Sequence, residues 1–407
     1  MSHEFHYSVD DPALHKYALE TLASADYALA HAPSLALTEP HTVEAVTADW
    51  LNAVLGSGVA HAKLDELIVV DAHDGMTSRK KWRLHWNDAG KDAGLPSSIF
   101  VKAFPSTPYH RESIAILHLQ DAEVNFYRVL CSENPELAPT AYYFKNYPGG
   151  RFMILLEDLT ERGCRPYWQA DDCSIAHARA VAVTQARFHA KYWESNRLVG
   201  DLAWVRPRTK RFGWSWLRNS FCDVRRNFLD KATEEEIPAD AVALLRTWNK
   251  NANAVFDYWE NKPHTVLHGD SHLGNTFSYP DGRAGYYDWQ VMFSGHGLRD
   301  LSYFLMSALT NTDRIAHEKE IFELYLETLA EGGVRLERQE AWNDYCLFAF
   351  DRWDAVIKEV TKGSYGHGRK GQLRSLKTIA GCLLDNDVPG RLDYLIRHKL
   401  GNSGQVS

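Results

Sequence analysis

The chain has 407 residues, 45% of them hydrophobic and 24% charged, a balance that supports packed cores and excludes collagen-like, coiled-coil and disordered chains. That length suggests two lobes, each able to bury its own interior. A net charge of −8 argues against general nucleic-acid affinity, which needs a basic surface. The six cysteines (Cys131, Cys164, Cys173, Cys222, Cys346, Cys382) show no CxxC spacing, so a zinc knuckle or thioredoxin-type motif is not expected. Near the functional-looking regions the longest apolar run is Phe152-Met153-Ile154-Leu155-Leu156, far short of the ~20 residues a bilayer requires. The start, Met1-Ser2-His3-Glu4-Phe5-His6, has neither a basic nor an apolar signal region. A cytoplasmic protein with no membrane or nucleic-acid partner is the expectation.

Residues 1–45 read as a polar helical extension ending at Pro40, and 43–55 as a helix stopped by Gly56 and Gly58. The period then changes to two. Strands are predicted over 64–70, 77–86 and 98–104, with a turn at Asp74-Gly75. A helix follows over 113–130, then strands over 140–144 and 151–156 joined by Tyr147-Pro148-Gly149-Gly150. Residues 46–158 are therefore an α+β unit of five strands and a helix. From 159 to 407 the pattern is helical, with one long helix over 174–193 and several more filling 215–260 and 314–400, interrupted by a β island at 265–288. Residues 201–231 carry eight Lys or Arg against three Asp, interleaved with Trp204, Phe212, Trp214, Trp216 and Phe221. This reads as a helical insert near 195–260 whose aromatics are core and whose charges are solvated.

The island holds the chemistry. It runs His268-Gly269-Asp270-Ser271-His272-Leu273-Gly274-Asn275, then a short strand, Asp281-Gly282, and a strand ending in Asp288-Trp289-Gln290. Asp-Gly is a strong hairpin signal because glycine accepts φ > 0 without a Cβ penalty. With those two residues as the loop, Pro280 faces Arg283 and Asn275 faces Asp288. A one-residue bulge would shift that register. Directly paired residues lie about 5 Å apart at Cβ, which sets a carboxamide oxygen beside a carboxylate, suitable ligands for Mg²⁺. Asp270 precedes the hairpin and suits a general base for an attacking hydroxyl. Phosphoryl transfer needs little more than positioning, metal ions across the phosphates and a residue orienting the nucleophile.

These motifs, HGDxHxxN followed by Asp288, resemble the catalytic and metal-binding loops of the aminoglycoside phosphotransferase and choline kinase superfamily. Leu156-Glu157-Asp158-Leu159, Glu123-Val124-Asn125-Phe126-Tyr127 and Asp288-Trp289-Gln290 most resemble its ecdysteroid-kinase-like branch. The resemblance implies a bilobal protein-kinase-like α+β fold, with a β-rich N-lobe and a mainly helical C-lobe. It implies ATP and Mg²⁺ as cofactors, Asp270 as base, and Asn275 and Asp288 as metal ligands. It also implies that Lys102, in Ile99-Phe100-Val101-Lys102, grips the nucleotide phosphates and is held by Glu123. Backbone from Glu157 to Leu159 would read adenine. The loop Asp74-Gly75-Met76-Thr77-Ser78 departs from GxGxxG, and Thr77 or Ser78 would donate to phosphate. The implied activity is phosphorylation of a hydroxyl on a small molecule, a hydrophobic or aromatic alcohol given the basic, aromatic insert. Alternatives are an aminoglycoside-type antibiotic phosphotransferase, a nucleotide-binding pseudokinase, and a metallohydrolase using His268 and His272. His268, His272 and His189 are otherwise expected to brace the catalytic loop. Asp300 would cap the following helix or brace that loop.

Overall fold

The structure is a computed structural model that describes residues 12–31, 39–211, 213–231, 237–362 and 369–400. The chain forms two units. The first comprises residues up to Arg165 together with Tyr287–Gln290, and the second comprises Pro166–Tyr286 and the chain from Val291 onward.

In the first unit, strands β1 (Leu64–Asp74), β2 (Ser78–Trp86), β3 (Ser98–Ala103), β4 (Ala141–Asn146) and β5 (Phe152–Glu157) make one antiparallel sheet, in the order β1-β2-β3-β5-β4. All five predicted strands are present. β1 runs four residues further than expected, to Asp74, because it pairs directly with β2 down to Asp74 opposite Ser78. The period of two sorts the side chains. Trp82, Leu84 and Trp86 on β2, with Ile99, Val101 and Ala103 on β3, turn into one core beneath Val43, Val46 and Leu51. Lys102 therefore lies on the opposite face of β3, and β5 is buried at every position.

The helices of this unit correct the sequence reading in two places. The expected helix over 43–55 begins only at Ala48, where Thr47 accepts the amide of Trp50, and Val43–Ala45 is a separate 3₁₀ turn. The expected helix over 113–130 is three pieces, Pro108–Leu117, Leu119–Asn125 and a π-helical turn Phe126–Leu130. The break is His118, at φ 52°, with no proline or glycine to announce it. Of the N-terminal extension, Pro12–His31 is helical, and the remainder up to residue 38 lies outside the described residues.

The second unit is helical: Ile175–Tyr192, Trp214–Leu229, Ala239–Trp259, Leu298–Ala308, Asn311–Glu331, Arg338–Lys362, Arg369–Asp385 and Val388–Leu395. Its strands are short. Following β6 (Arg165–Pro166), β7 (Thr265–Leu267) pairs with β10 (Phe293–Gly295), and β8 (Thr276–Ser278) pairs with β9 (Ala284–Tyr286). The insert helix contributes to the core rather than only carrying solvated charge. Arg225 is fully buried and donates to Asp354 at 2.6 Å, and Arg208 lies 4.7 Å from the centre of the Phe256 ring. Among the described residues no helix is long and apolar enough to cross a membrane.

The register of the β8–β9 hairpin differs from expectation by one residue. Ser278 faces Ala284 and Thr276 faces Tyr286, where the ladder ends. Tyr279 N–H donates to Arg283 O, so the loop is Pro280-Asp281-Gly282, with Gly282 at φ 86°. A three-residue loop closed by a left-handed glycine inserts the bulge that a two-residue loop lacks. Asn275 therefore does not face Asp288 across a ladder.

Candidate active site

In the first unit, a buried cluster of charged side chains grows from β3. Lys102 is 3% exposed, and its ammonium donates to Glu123 Oε2 at 2.5 Å and to Asp288 Oδ1 at 2.7 Å. Glu123 comes from the helix Leu119–Asn125. Asp288 arrives from 186 residues away in sequence, on the short Tyr287–Gln290 segment, where it adopts φ 65°. The adjoining Trp289 ring stacks on Phe126 at 4.0 Å and 5°, which fixes that segment. Burial pushes the Glu123 carboxyl up; the Lys102 ammonium opposes this, and Asp288 adds to it. Glu123 Oε1 is buried with no hydrogen-bond partner. A buried ion pair with an unsatisfied oxygen adds little net stability.

Arg79 was not singled out by sequence. It stands opposite Lys102 in the β2–β3 ladder, hence on the same face, and its charge acts on Glu123. A period-two count from Lys102 through the β2 partner would have found it. In the loop, Thr77 is buried and Ser78 donates its hydroxyl to Asp74, whose other oxygen accepts the Ser106 hydroxyl. Burial works against the Asp74 charge, yet the two serines hold its carboxyl below the usual range. At the end of β5, Glu157 accepts from Thr140 N–H and Arg162 at 2.8 Å each, while its own amide donates to Thr140 O. Leu159 O accepts Cys164 N–H at 3.1 Å.

In the second unit, the loop after β7 is built around Asp300. Asp300 is fully buried in the first turn of Leu298–Ala308, and it accepts His268 N–H at 2.7 Å and Gly269 N–H at 3.3 Å. Gly297 holds the cap position, so Asp300 braces the loop rather than capping the helix. Arg299 donates to Asp300 Oδ1 and to Gly269 O, and through Nε to Asp351, which Arg208 also grips. Burial would raise the Asp300 carboxyl, but His189 and Arg299 hold it well below the usual range. Gly269 sits at φ 86°, and a Cβ there would meet Val291 O at 2.5 Å, so only glycine makes this turn.

Asp270 emerges from that turn with 31% of its side chain exposed. Tyr303 donates to its Oδ1 at 2.9 Å, and Asn275 Nδ2 donates to its backbone oxygen at 2.8 Å. His268 Nδ1 accepts the Asp270 amide, and the His272 ring stands 3.6 Å from Asp270 Oδ2. The three histidines thus brace the loop, His189 doing so through Asp300 at 3.8 Å. Among the described residues no group of three or more His, Cys, Asp and Glu could hold a metal ion. Each expected metal ligand offers a hard oxygen within its own unit. Asn275 spends its amide nitrogen on Asp270, leaving its carbonyl oxygen as donor, and Asp288 contributes carboxylate oxygen. Tyr303, Arg299 and Asp351 were not foreseen, because nothing in their spacing separates them from ordinary helix residues.

The fold is of the α+β class, with an antiparallel-sheet N-terminal unit and a helical C-terminal unit, and the family match makes the chain a kinase-like small-molecule phosphotransferase. The ecdysteroid kinase-like family model matches residues 82–337, more than half of the chain, and the chain belongs to that family. Among solved structures it is similar to an ethanolamine kinase from Plasmodium vivax (12% identity, 84% of this chain and 86% of that chain, TM-score 0.49). It is also similar to spectinomycin phosphotransferase in complex with ADP and spectinomycin (11% identity, 84% and 99%, TM-score 0.47). A third similar structure is amicoumacin kinase in complex with AMP-PNP and Ca²⁺ (14% identity, 81% and 93%, TM-score 0.48). No curated protein matches.

Proposed function

We propose that the protein is an ATP- and Mg²⁺-dependent phosphotransferase that phosphorylates a hydroxyl of a small molecule. Lys102, oriented by Glu123 and flanked by Arg79, neutralises the nucleotide phosphates. Asn275 and Asp288 would hold Mg²⁺, which when bound offsets charge on the phosphates. Asp270 accepts the proton of the attacking hydroxyl, and Tyr303 fixes the carboxylate that does so. Backbone at Glu157–Leu159 reads the adenine edge, and Thr77 and Ser78 lie in the loop that covers the phosphates. The acceptor is a hydrophobic or aromatic alcohol, in keeping with the aromatic insert.

The observation that carries this reading is the Lys102 ammonium shared between Glu123 and Asp288, two carboxylates brought to it from distant parts of the chain. The test is Asp270→Asn. ADP release over a panel of alcohols is expected to fall roughly 10²–10⁴-fold with MgATP affinity retained. Turnover equal to that of the unaltered protein would overturn the assignment of the base.

A further inference from the structure

The helix Arg338–Lys362 places two cations near Asp270 that phosphate chemistry in the first unit does not use. Arg352 is 1% exposed, and its guanidinium carbon lies 5.2 Å from the centre of the Tyr303 ring, whose hydroxyl donates to Asp270. Glu359, one helical repeat further on, meets Arg352 Nη1 at only 3.4 Å. Arg352 Nε and Nη2 are buried without a hydrogen-bond partner. Lys358, half-buried on the same helix, has its ammonium 5.7 Å from the centre of the Phe221 ring on the insert helix. Among the described residues it makes no hydrogen bond and no ion pair. Burial lowers its pKa, while Glu359 and Asp270 act in the opposite sense.

A buried donor edge without an acceptor carries a desolvation cost that a ligand can offset, even where Glu359, Tyr303 and Asp270 favour the Arg352 charge as a whole. The neighbouring charges are Asp270, already engaged by Tyr303, and Glu359, which covers one nitrogen of Arg352. The remaining donors are Lys358 Nζ and the Nε–Nη2 edge of Arg352, a fork that matches a carboxylate, with the Phe221 ring as an apolar wall.

We propose that Lys358 and Arg352 form an anion-recognition site beside Asp270, and that the acceptor is an apolar or aromatic alcohol that also bears a carboxylate or comparable anionic group. This rests on the phosphotransferase reading and names the substrate class of that site. The transferring phosphoryl group would supply the same chemistry, and the test separates the two sources.

The experiment is calorimetry on the full chain without nucleotide, with mandelate, its neutral counterpart benzyl alcohol, and inorganic phosphate as probes. Mandelate is expected to bind more tightly than benzyl alcohol. Its affinity should drop about tenfold to hundredfold in Lys358→Met and in Arg352→Met, the range of a hydrogen bond to a charged group. Lys358→Met, relieved of an uncompensated charge, is expected to melt no lower than the unaltered protein. Equal binding of mandelate and benzyl alcohol, or no loss in either variant, overturns the proposal. So does a Lys358-dependent loss confined to inorganic phosphate, which would assign the site to the transferring phosphoryl group. Because these titrations contain no ATP, their failure is distinct from failure of the phosphotransferase reading, which shows in the Asp270→Asn assay.

Discussion

Lys102 and Asp300 are both buried charges at the heart of their units, yet they are held in opposite ways. Asp300 is saturated. Two backbone amides, Arg299 and His189 surround it, and its carboxyl stays far below the usual range. Among the described residues Lys102 is held by two carboxylates, one of them, Glu123, raised by burial and left with an unpartnered oxygen. A saturated charge is scaffolding, because any change of partner breaks bonds. One held by side chains alone can change partner without breaking a backbone hydrogen bond.

The largest effect that distinguishes these roles is on stability. Asp300→Ala is expected to cost about 3–5 kcal/mol in denaturant unfolding, the range for removing one partner of a buried charge pair. Lys102→Met should cost less, because Glu123, its carboxyl already raised by burial, can take up a proton once the ammonium is gone. A loss of similar size in both variants would erase the distinction.

Next in size is ligand binding. Lys102→Met is expected to weaken MgATP by about tenfold or more, as loss of a charged hydrogen-bond donor does, and Arg79→Met by a smaller factor. Calorimetry that finds Arg79→Met unchanged would remove Arg79 from the site.

Smaller again is the contribution of Tyr303. Tyr303→Phe is expected to lower kcat by about fivefold with KM for ATP unchanged, since one neutral hydroxyl donor is worth about 1 kcal/mol. An unchanged kcat would make Tyr303 a packing residue.

The smallest effect is in acid. The ordinary carboxyl value is 3.8 and that of Asp300 lies below it, so the folded state binds fewer protons there than the unfolded chain. Its stabilisation is present above about pH 4 and is lost as pH falls towards the depressed folded value. Melting temperatures of Asp300→Asn between pH 5 and pH 3 should therefore decline less steeply than those of the unaltered protein.

The same contrast governs what sequence alone reveals. Lys102, Glu123 and Asp288 could be singled out from the order of their motifs along the chain, and the structure brings these three together. The strands were legible from alternation, as in Trp82, Leu84 and Trp86. The brace around Asp300 was only half legible. Arg299, Asp351 and Tyr303 are defined by partners 30 to 52 residues away, and no local period encodes such distances. Two local geometries were missed for a related reason. The His118 break uses a left-handed non-glycine residue, and the β8–β9 loop differs from its two-residue alternative by a single residue at Gly282.

The segment Tyr287–Gln290 carries one more implication. It is encoded in the latter part of the chain but belongs with the N-terminal sheet, where Trp289 covers Phe126 and Asp288 neutralises Lys102. Severing the polypeptide after Arg165 would therefore yield an N-terminal fragment with an exposed aromatic face and a lysine short of one counter-charge. A synthetic peptide spanning that tetrapeptide is the natural complement for restoring such a fragment.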